Sequence, residues 1–330
     1  MKVLVTGGNG FVGRALVQRL LTDPAIEQLT VVDCMVDGLP DDPRITAVSG
    51  SIVDTGVLEQ AFAGRPEVIY HLASIPGGAA EDNYELGLDV NLRATLAMLE
   101  LARLQSEEQS QEQSQAQSQD LSQRQRPLFL FSSSIAVYGA PMPDPVTDDS
   151  TMNPLLSYGA QKLAAEVLVK DYHRRGWIDA RILRLPGIVA RPPQPSGLRS
   201  AFMSDLFWKL SAAEPMVCPV SPDAVAWWMS VGCCVDNLIH AATDRDPAWE
   251  QRCDYTLPVL RLTVGEVVAG LAERFGQDRA ESVEYQPDAA LEKVFGRFPM
   301  LDSSAALAVG FKHDGDIQSL ISRALYRQVV

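Results

Sequence analysis

Tyr158 and Lys162 stand four residues apart in Ser157-Tyr158-Gly159-Ala160-Gln161-Lys162. On a helix that spacing is one turn, so both side chains leave the same face and reach one point in space. A free phenol, with a pKa of about 10, is a poor base at neutral pH. An ammonium held beside it stabilises the phenolate and lowers that value. A second set of candidate groups is the serine run Ser132-Ser133-Ser134, which follows the apolar Leu128–Phe131. In a parallel α/β sheet the carboxyl ends of the strands face the ligand crevice. Ser134 is therefore the hydroxyl placed to touch a reacting oxygen, while Ser132 and Ser133 satisfy backbone groups or the lysine. A base of this kind takes a proton from an alcohol or returns one to a carbonyl.

The third feature is the loop Thr6-Gly7-Gly8-Asn9-Gly10-Phe11-Val12-Gly13, which follows an apolar run and opens a helical pattern. That is the context of a dinucleotide loop: Gly7 and Gly10 permit a tight turn and close approach to a pyrophosphate. Gly13 lets helix and strand pack closely, and the N–H groups around Phe11 and Val12 meet the anion at the helix start. Asp33 lies 20 residues beyond Gly13, where a second strand ends. A carboxylate there accepts from the adenosine hydroxyls and repels a 2′-phosphate, which selects NAD over NADP. No arginine follows Asp33 directly.

These groups need a scaffold, and the first half of the chain supplies one. Strand-type runs at 3–6, 29–33, 45–48, 68–73, 128–132 and 182–188 alternate with helices beginning near Phe11, Val57, Tyr84 and Tyr158; Gly176 stops the last. Alternation of this kind predicts an α/β doubly wound parallel sheet, a Rossmann fold, over 1–190. The stretch 105–126 is a Gln/Ser-rich insertion, with serine every fourth residue from Ser106 to Ser122. It is read as solvated, either disordered or a frayed helical extension. After Arg191 prolines cluster at Pro192, Pro193 and Pro195. Helical patterns over 202–210, 263–275 and 303–311 then make 191–330 a smaller C-terminal substrate lobe, with Trp227 and Trp228 packing inside it.

Composition narrows the partners. At 330 residues with a formal charge of −14, the chain is a poor match for nucleic acid or an anionic membrane surface. No apolar run is long enough to span a bilayer, and Met1-Lys2-Val3-Leu4 enters a strand directly, so a cytoplasmic location is expected. Cys34, Cys218, Cys233, Cys234 and Cys253 form no metal-ligand pattern and are expected as reduced, mostly packed thiols. No metal is called for. An acidic chain does not steer an anionic substrate, so a carboxylate substrate needs a local cation; Arg191, and after it Arg199, are the candidates.

The loop, Asp33, His71-Leu72-Ala73-Ser74, Asn91, Ser134 and Tyr158-x-x-x-Lys162, in that order, resemble the extended short-chain dehydrogenase/reductase family, also called the NAD-dependent epimerase/dehydratase family. The resemblance implies that Leu72, Ala73 and Ser74 line NAD, that Asn91 supports the site, and that Pro186 borders the nicotinamide. Tyr158 and Lys162 would also contact the cofactor, Lys162 holding the nicotinamide ribose as well as tuning Tyr158. Ser51-Ile52 departs from the family pattern, which has Asp where Ser51 stands, although Ile52 still occupies the place that borders adenine. His71 is expected as a packed histidine, and Glu81 as a possible contact to substrate hydroxyls.

Ile135 and Ala136 occupy the places of the Asp-Glu pair that the family's dehydratases use, so elimination has no general acid here. Pro76-Gly77-Gly78-Ala79-Ala80-Glu81, Arg184-Leu185-Pro186 and Val217-Cys218-Pro219-Val220-Ser221-Pro222-Asp223 are similar to a narrower, sugar-acid-oxidising group of the family. That similarity implies oxidation of a four-carbon sugar acid, D-erythronate, at C2 to the 2-keto acid, with Tyr158 as base. A sugar-nucleotide epimerase or reductase, and a non-catalytic NAD sensor, remain as alternatives. The family's usual homodimer is a further expectation.

Overall fold

Valine, isoleucine and leucine dominate the runs that become the central strands because both faces of a parallel sheet are covered. In the computed structural model, which describes residues 1–115, 126–193 and 200–325 (backbone alone for 113–115), the chain runs as follows. The first elements are β1 (Lys2–Thr6), α1 (Phe11–Leu20), β2 (Gln28–Asp33), β3 (Ile45–Ser49), α2 (Thr55–Phe62) and β4 (Val68–His71). Then come α3 (Gly77–Asp82), α4 (Tyr84–Leu88), a π-helical turn (Asp89–Arg93), α5 (Ala94–Gln115), β5 (Leu128–Ser134), α6 (Ser157–Arg174) and β6 (Asp179–Leu185). The remainder includes β7 (Gly187–Val189), α7 (Ala201–Ser211), β8 (Met216–Cys218), β9 (Val225–Ser230), α8 (Val231–Thr243), α9 (Ala248–Gln251), β10 (Asp254–Thr256), β11 (Leu260–Thr263) and α10 (Val264–Phe275).

Packing divides the chain into two units. The first comprises Met1–Ser133, Leu156–Leu183 and Ala241–Asp254; the second comprises Ser134–Leu155, Arg184–His240 and Tyr255–Val330. The composition change at Arg191 suggests a single boundary, whereas packing interleaves the segments. The large sheet has the order β3-β2-β1-β4-β5-β6-β10, with β1 parallel to β2 and β4, β2 to β3, and β4 to β5. This is the doubly wound Rossmann order, with one short strand, β10, that its three residues were too few to signal. Leu4, Val32, Ile69, Phe129 and Phe131 from the strands pack with Met98, Leu99, Ala102, Ala165 and Val169 from α5 and α6.

One strand expectation needs correction. Residues 182–188 do not form one strand: β6 ends at Leu185, and Gly187–Val189 joins a separate sheet of order β11-β9-β7. Pro186 lies between them and has no N–H to continue a ladder. The insertion at 105–126 begins as the helical extension of the two alternatives read from the sequence. Its first residue, Gln105, is buried and donates to the Pro66 carbonyl at 3.0 Å, and α5 continues to Gln115. Arg65 pairs with Glu108 and Glu112 on that extension; the rest of the insertion, 116–125, lies outside the described residues.

In the second unit Trp227 and Trp228 are buried on β9. Their indole N–H groups donate to Pro299 and Leu262 carbonyls at 2.9 and 3.0 Å, so the pair is packing, as expected. Thr263 and Glu266 form a capping box that starts α10. The expected 303–311 helix is confined to Ser304–Ala308, because Gly310 turns with φ +92°, and Ile317–Ala324 is a further helix that the sequence reading missed.

Candidate active site

Strand β1 delivers its C-terminus to the glycine loop. Gly7 adopts φ +69° and its N–H donates to Val32 O at 2.8 Å, a conformation that L side chains resist. A Cβ on Gly13 would lie 2.0 Å from Gly7 O, and one on Gly7 would lie 2.8 Å from Ala73 N. The backbone crossing therefore requires both glycines. Helix α1 begins at Phe11 with Gly10 as an N-cap that offers no side-chain bond, and its first turn carries no acid. The N–H groups around Phe11, Val12 and Gly13 thus face no competing carboxylate from their own turn, which suits a pyrophosphate.

Asp33 closes β2, half-buried, and its Oδ2 accepts from Asn9 N at 3.0 Å. Asn9 Nδ2 in turn donates to Met35 O and Asp37 O at 2.8 and 3.1 Å, and Arg14 Nε donates to Asn9 O at 3.0 Å. The carboxylate is therefore held at the edge of the glycine loop, where a ribose diol would meet it. The loop and Asp33 together fit a dinucleotide with a free 2′-hydroxyl.

Leu72, Ala73 and Ser74 leave β4 half-buried, beside Gly7. Ile52 is 5 % exposed and belongs to the apolar core. Ser51 Oγ accepts from Val53 N at 3.3 Å, so the residue standing in for the family's aspartate serves a local turn. Asn91 sits in the π-helical turn, fully buried. Its Oδ1 accepts from Ile75 N at 2.8 Å and its Nδ2 donates to Ile75 O at 3.0 Å. Because Ile75 fixes which end is nitrogen, that nitrogen also takes the Gln161 oxygen at 2.8 Å. Asn91 thus braces the segment after β4 against α6 with an amide already committed within the protein.

Helix α6 carries the proposed base. Lys162 Nζ donates to Ser132 O at 2.8 Å and lies 4.6 Å from the Phe131 ring centroid and 5.9 Å from that of Tyr158. The tyrosine and lysine therefore share one side of the helix, as the four-residue spacing requires. Tyr158 is half-buried and Lys162 is 1 % exposed. Burial pushes the Lys162 ammonium down to about 7, and the negative charge of Glu166 acts against that. Ser132 Oγ donates to His71 O at 2.9 Å, while Ser133 Oγ donates to Glu166. Glu166, Gln161 and the π turn are the participants that the sequence reading missed. Glu166 was signalled all the same, standing one turn beyond Lys162 on the stripe of Tyr158.

His71 is packed, as expected, but its partners are side chains. Nδ1 meets Thr6 Oγ1 and Nε2 meets Thr95 Oγ1, each at 2.8 Å. Thr95 Oγ1 donates to Asn91 O, so Nε2 carries the ring proton and Nδ1 accepts. Burial first, then the Lys162 charge, push His71 down to about 3 from 6.5. Below pH 6.5 the unfolded chain binds a proton at this histidine that the folded chain refuses, so stability falls with pH toward 3. This term should remove roughly 1.4 kcal/mol per pH unit below about 6. Urea unfolding at pH 6 and 5 should show a steeper loss for the native chain than for His71→Gln; equal losses would contradict the assignment.

In the second unit, Ser134 caps the 3₁₀ turn Ile135–Val137, its Oγ accepting from Ala136 N at 3.2 Å. That bond leaves the hydroxyl hydrogen to donate elsewhere. Pro186 is buried between β6 and β7. Arg191 is exposed; its N–H donates to Ser204 Oγ at 3.0 Å and its carbonyl accepts from Trp208 Nε1 at 2.7 Å, which anchors its backbone. Arg199 lies outside the described residues. Glu81, in the first unit, accepts from Ser157 N and so caps α6 from α3, a task distinct from the substrate contact expected of it. Of the cysteines, Cys34 is exposed and the other four are buried as free thiols. Among the described residues no helix is long and apolar enough to cross a membrane.

Residues 3–248 match the model of the NAD dependent epimerase/dehydratase family. The chain is 34% identical to a D-erythronate dehydrogenase of Cupriavidus necator over 331 residues, covering 97% of each. It is 31% identical to one of Haemophilus influenzae, covering 98% of each. Among solved structures it is similar to a nucleoside-diphosphate-sugar epimerase from Agrobacterium tumefaciens, with TM-score 0.88 and 29% identity over 99% of this chain and 94% of that one. A GalE-like L-threonine dehydrogenase from Cupriavidus necator shares the fold at TM-score 0.82 and 22% identity, over 99% of each chain.

Proposed function

The chain belongs to the NAD dependent epimerase/dehydratase family, and from that premise we propose that it oxidises D-erythronate at C2 to the 2-keto acid with NAD. The observation that carries this reading is similarity over nearly the whole chain to two D-erythronate dehydrogenases. By contrast, the similarity to a UDP-glucose 4-epimerase of Mycolicibacterium smegmatis covers 60% of the chain at 28% identity. The substrate preference therefore follows the two relatives that share 34% and 31% identity over nearly the whole chain, against 29% for the nucleoside-diphosphate-sugar epimerase over a similar span.

Bound NAD supplies the hydride acceptor. The chain's own residues hold it and manage the proton. Gly7, Gly10 and Gly13 admit the pyrophosphate to the start of α1, and Asp33 takes the adenosine hydroxyls. Tyr158, as phenolate, accepts the proton of the C2 hydroxyl as the C2 hydrogen leaves with its electron pair. The Lys162 ammonium stabilises the phenolate before transfer. Ser134 donates its hydroxyl hydrogen to the substrate oxygen as this becomes a carbonyl. Arg191 grips the carboxylate, which an acidic chain does not attract by its overall field.

The test follows NADH absorbance with D-erythronate, L-threonate and UDP-glucose offered separately. D-Erythronate should drive stoichiometric NADH formation, whereas UDP-glucose should give none. Epimerisation of UDP-glucose, with no NADH from any free acid, would replace the proposal with the sugar-nucleotide reading.

A further inference from the structure

Tyr158, Lys162 and Glu166 are spaced at one-turn intervals along α6, yet the proposed chemistry uses only the first two. Glu166 is 1 % exposed, as buried as Lys162. A carboxylate at that depth is unfavourable unless its charge is held and hydrogen-bonded. Ser133, on the neighbouring strand β5, donates its hydroxyl to Glu166 Oε1, and the adjacent residue Ser132 receives Lys162 on its carbonyl. One strand end thus fixes two buried ionisable side chains that stand one helical turn apart on α6.

We propose that Glu166, oriented by Ser133, is a positioning residue that keeps Lys162 protonated and thereby sets the pH range in which Tyr158 acts as base. The inference rests on the assignment of Tyr158 and Lys162 made above. The other groups near Lys162 do not replace Glu166. From β4, His71 is neutral and held by two threonines. From β5, Phe131 offers a ring and Ser132 a carbonyl. On the helices packed against α6, Glu81 takes Ser157 N, Asp89 and Glu85 pair with Arg93, and Glu100 pairs with Arg103 and accepts from Tyr172. With the carboxylate gone, burial alone would act on the lysine and deplete the cation at neutral pH.

The experiment titrates Lys162 directly, in full-length protein carrying ¹³Cε-lysine, with the resonance assigned by its absence from Lys162→Arg. In Glu166→Gln the midpoint should fall by about one pH unit, a roughly tenfold loss of cation above it; Ser133→Ala should move it less, in the same direction. In parallel, the acidic limb of the kcat profile with D-erythronate should move to higher pH, and Glu166→Asp should restore most of the wild-type profile. A residue that only supported the fold would lower kcat evenly across pH and leave the midpoint in place. An unchanged midpoint in Glu166→Gln overturns the proposal. Should that variant not fold, an unchanged midpoint in Ser133→Ala does so. The titration needs no substrate, so failure of the D-erythronate reading and failure of this inference give different results.

Discussion

Tyr158→Phe should lower kcat with D-erythronate by about 10²–10⁴-fold, the usual contribution of a positioned general base, and leave NADH affinity within about twofold of wild type. The ring stays in place beside Lys162, whose ammonium lies 5.9 Å from its centroid, so the substitution removes the hydroxyl and little packing. Helix α6 is held independently, by Glu81 at Ser157 and by Asn91 at Gln161. The melting temperature should therefore fall by no more than the few degrees that one lost hydrogen bond accounts for. Fluorescence titration with NADH alongside steady-state kinetics checks both halves. Turnover retained at wild-type levels would remove Tyr158 from the chemistry, and loss of NADH binding would make it a cofactor ligand first.

The second large effect concerns cofactor choice. Asp33→Ser should reduce kcat/KM with NAD by about 10–100-fold, since a hydrogen bond to a charged group contributes roughly 1.5–3 kcal/mol. It should also raise kcat/KM with NADP, because the charge that repels a 2′-phosphate is gone. Serine removes the charge and keeps an acceptor, one bond shorter than the Asp33 Oδ2 that takes Asn9 N at 3.0 Å, while Arg14 still holds the Asn9 carbonyl. Arg14, which already donates to Asn9 O in the glycine loop and to Asp37 O beyond β2, supplies a cation on the same edge for the added phosphate. The NADP/NAD preference should change by roughly 100-fold or more, the two effects multiplying. An unchanged ratio would show that Asp33 serves the loop and not the ribose.

Much of this was legible because local rules and tertiary demands agree. The glycine loop announces itself through residues whose missing Cβ atoms the packing requires: at Gly13 a methyl would strike Gly7 O. The Tyr158–Lys162 spacing encodes a shared face whatever surrounds it. Other features were hidden because tertiary context creates them. Nothing in the run Arg184–Ile188 marks a change of sheet apart from Pro186, whose missing N–H ends β6. The first turns of the Gln/Ser-rich stretch stay helical because Gln105 reaches the Pro66 carbonyl and Arg65 meets Glu108 and Glu112, partners about 40 residues away in sequence. Glu81, near two glycines, stands where a contact to substrate hydroxyls or a purely structural role would serve equally, and its carboxylate accepts from the backbone N–H of Ser157. A cap supplied by another helix has no local signature.

The most direct test of the central claim, that the C2 hydrogen leaves as hydride to NAD, is the fate of deuterium from [2-²H]-D-erythronate. Mass spectrometry of the products should find the label in reduced NAD, one deuterium per turnover, with none released to water. Label appearing in solvent, or retained in the carbon acid while NADH stays unlabelled, would contradict oxidation at C2.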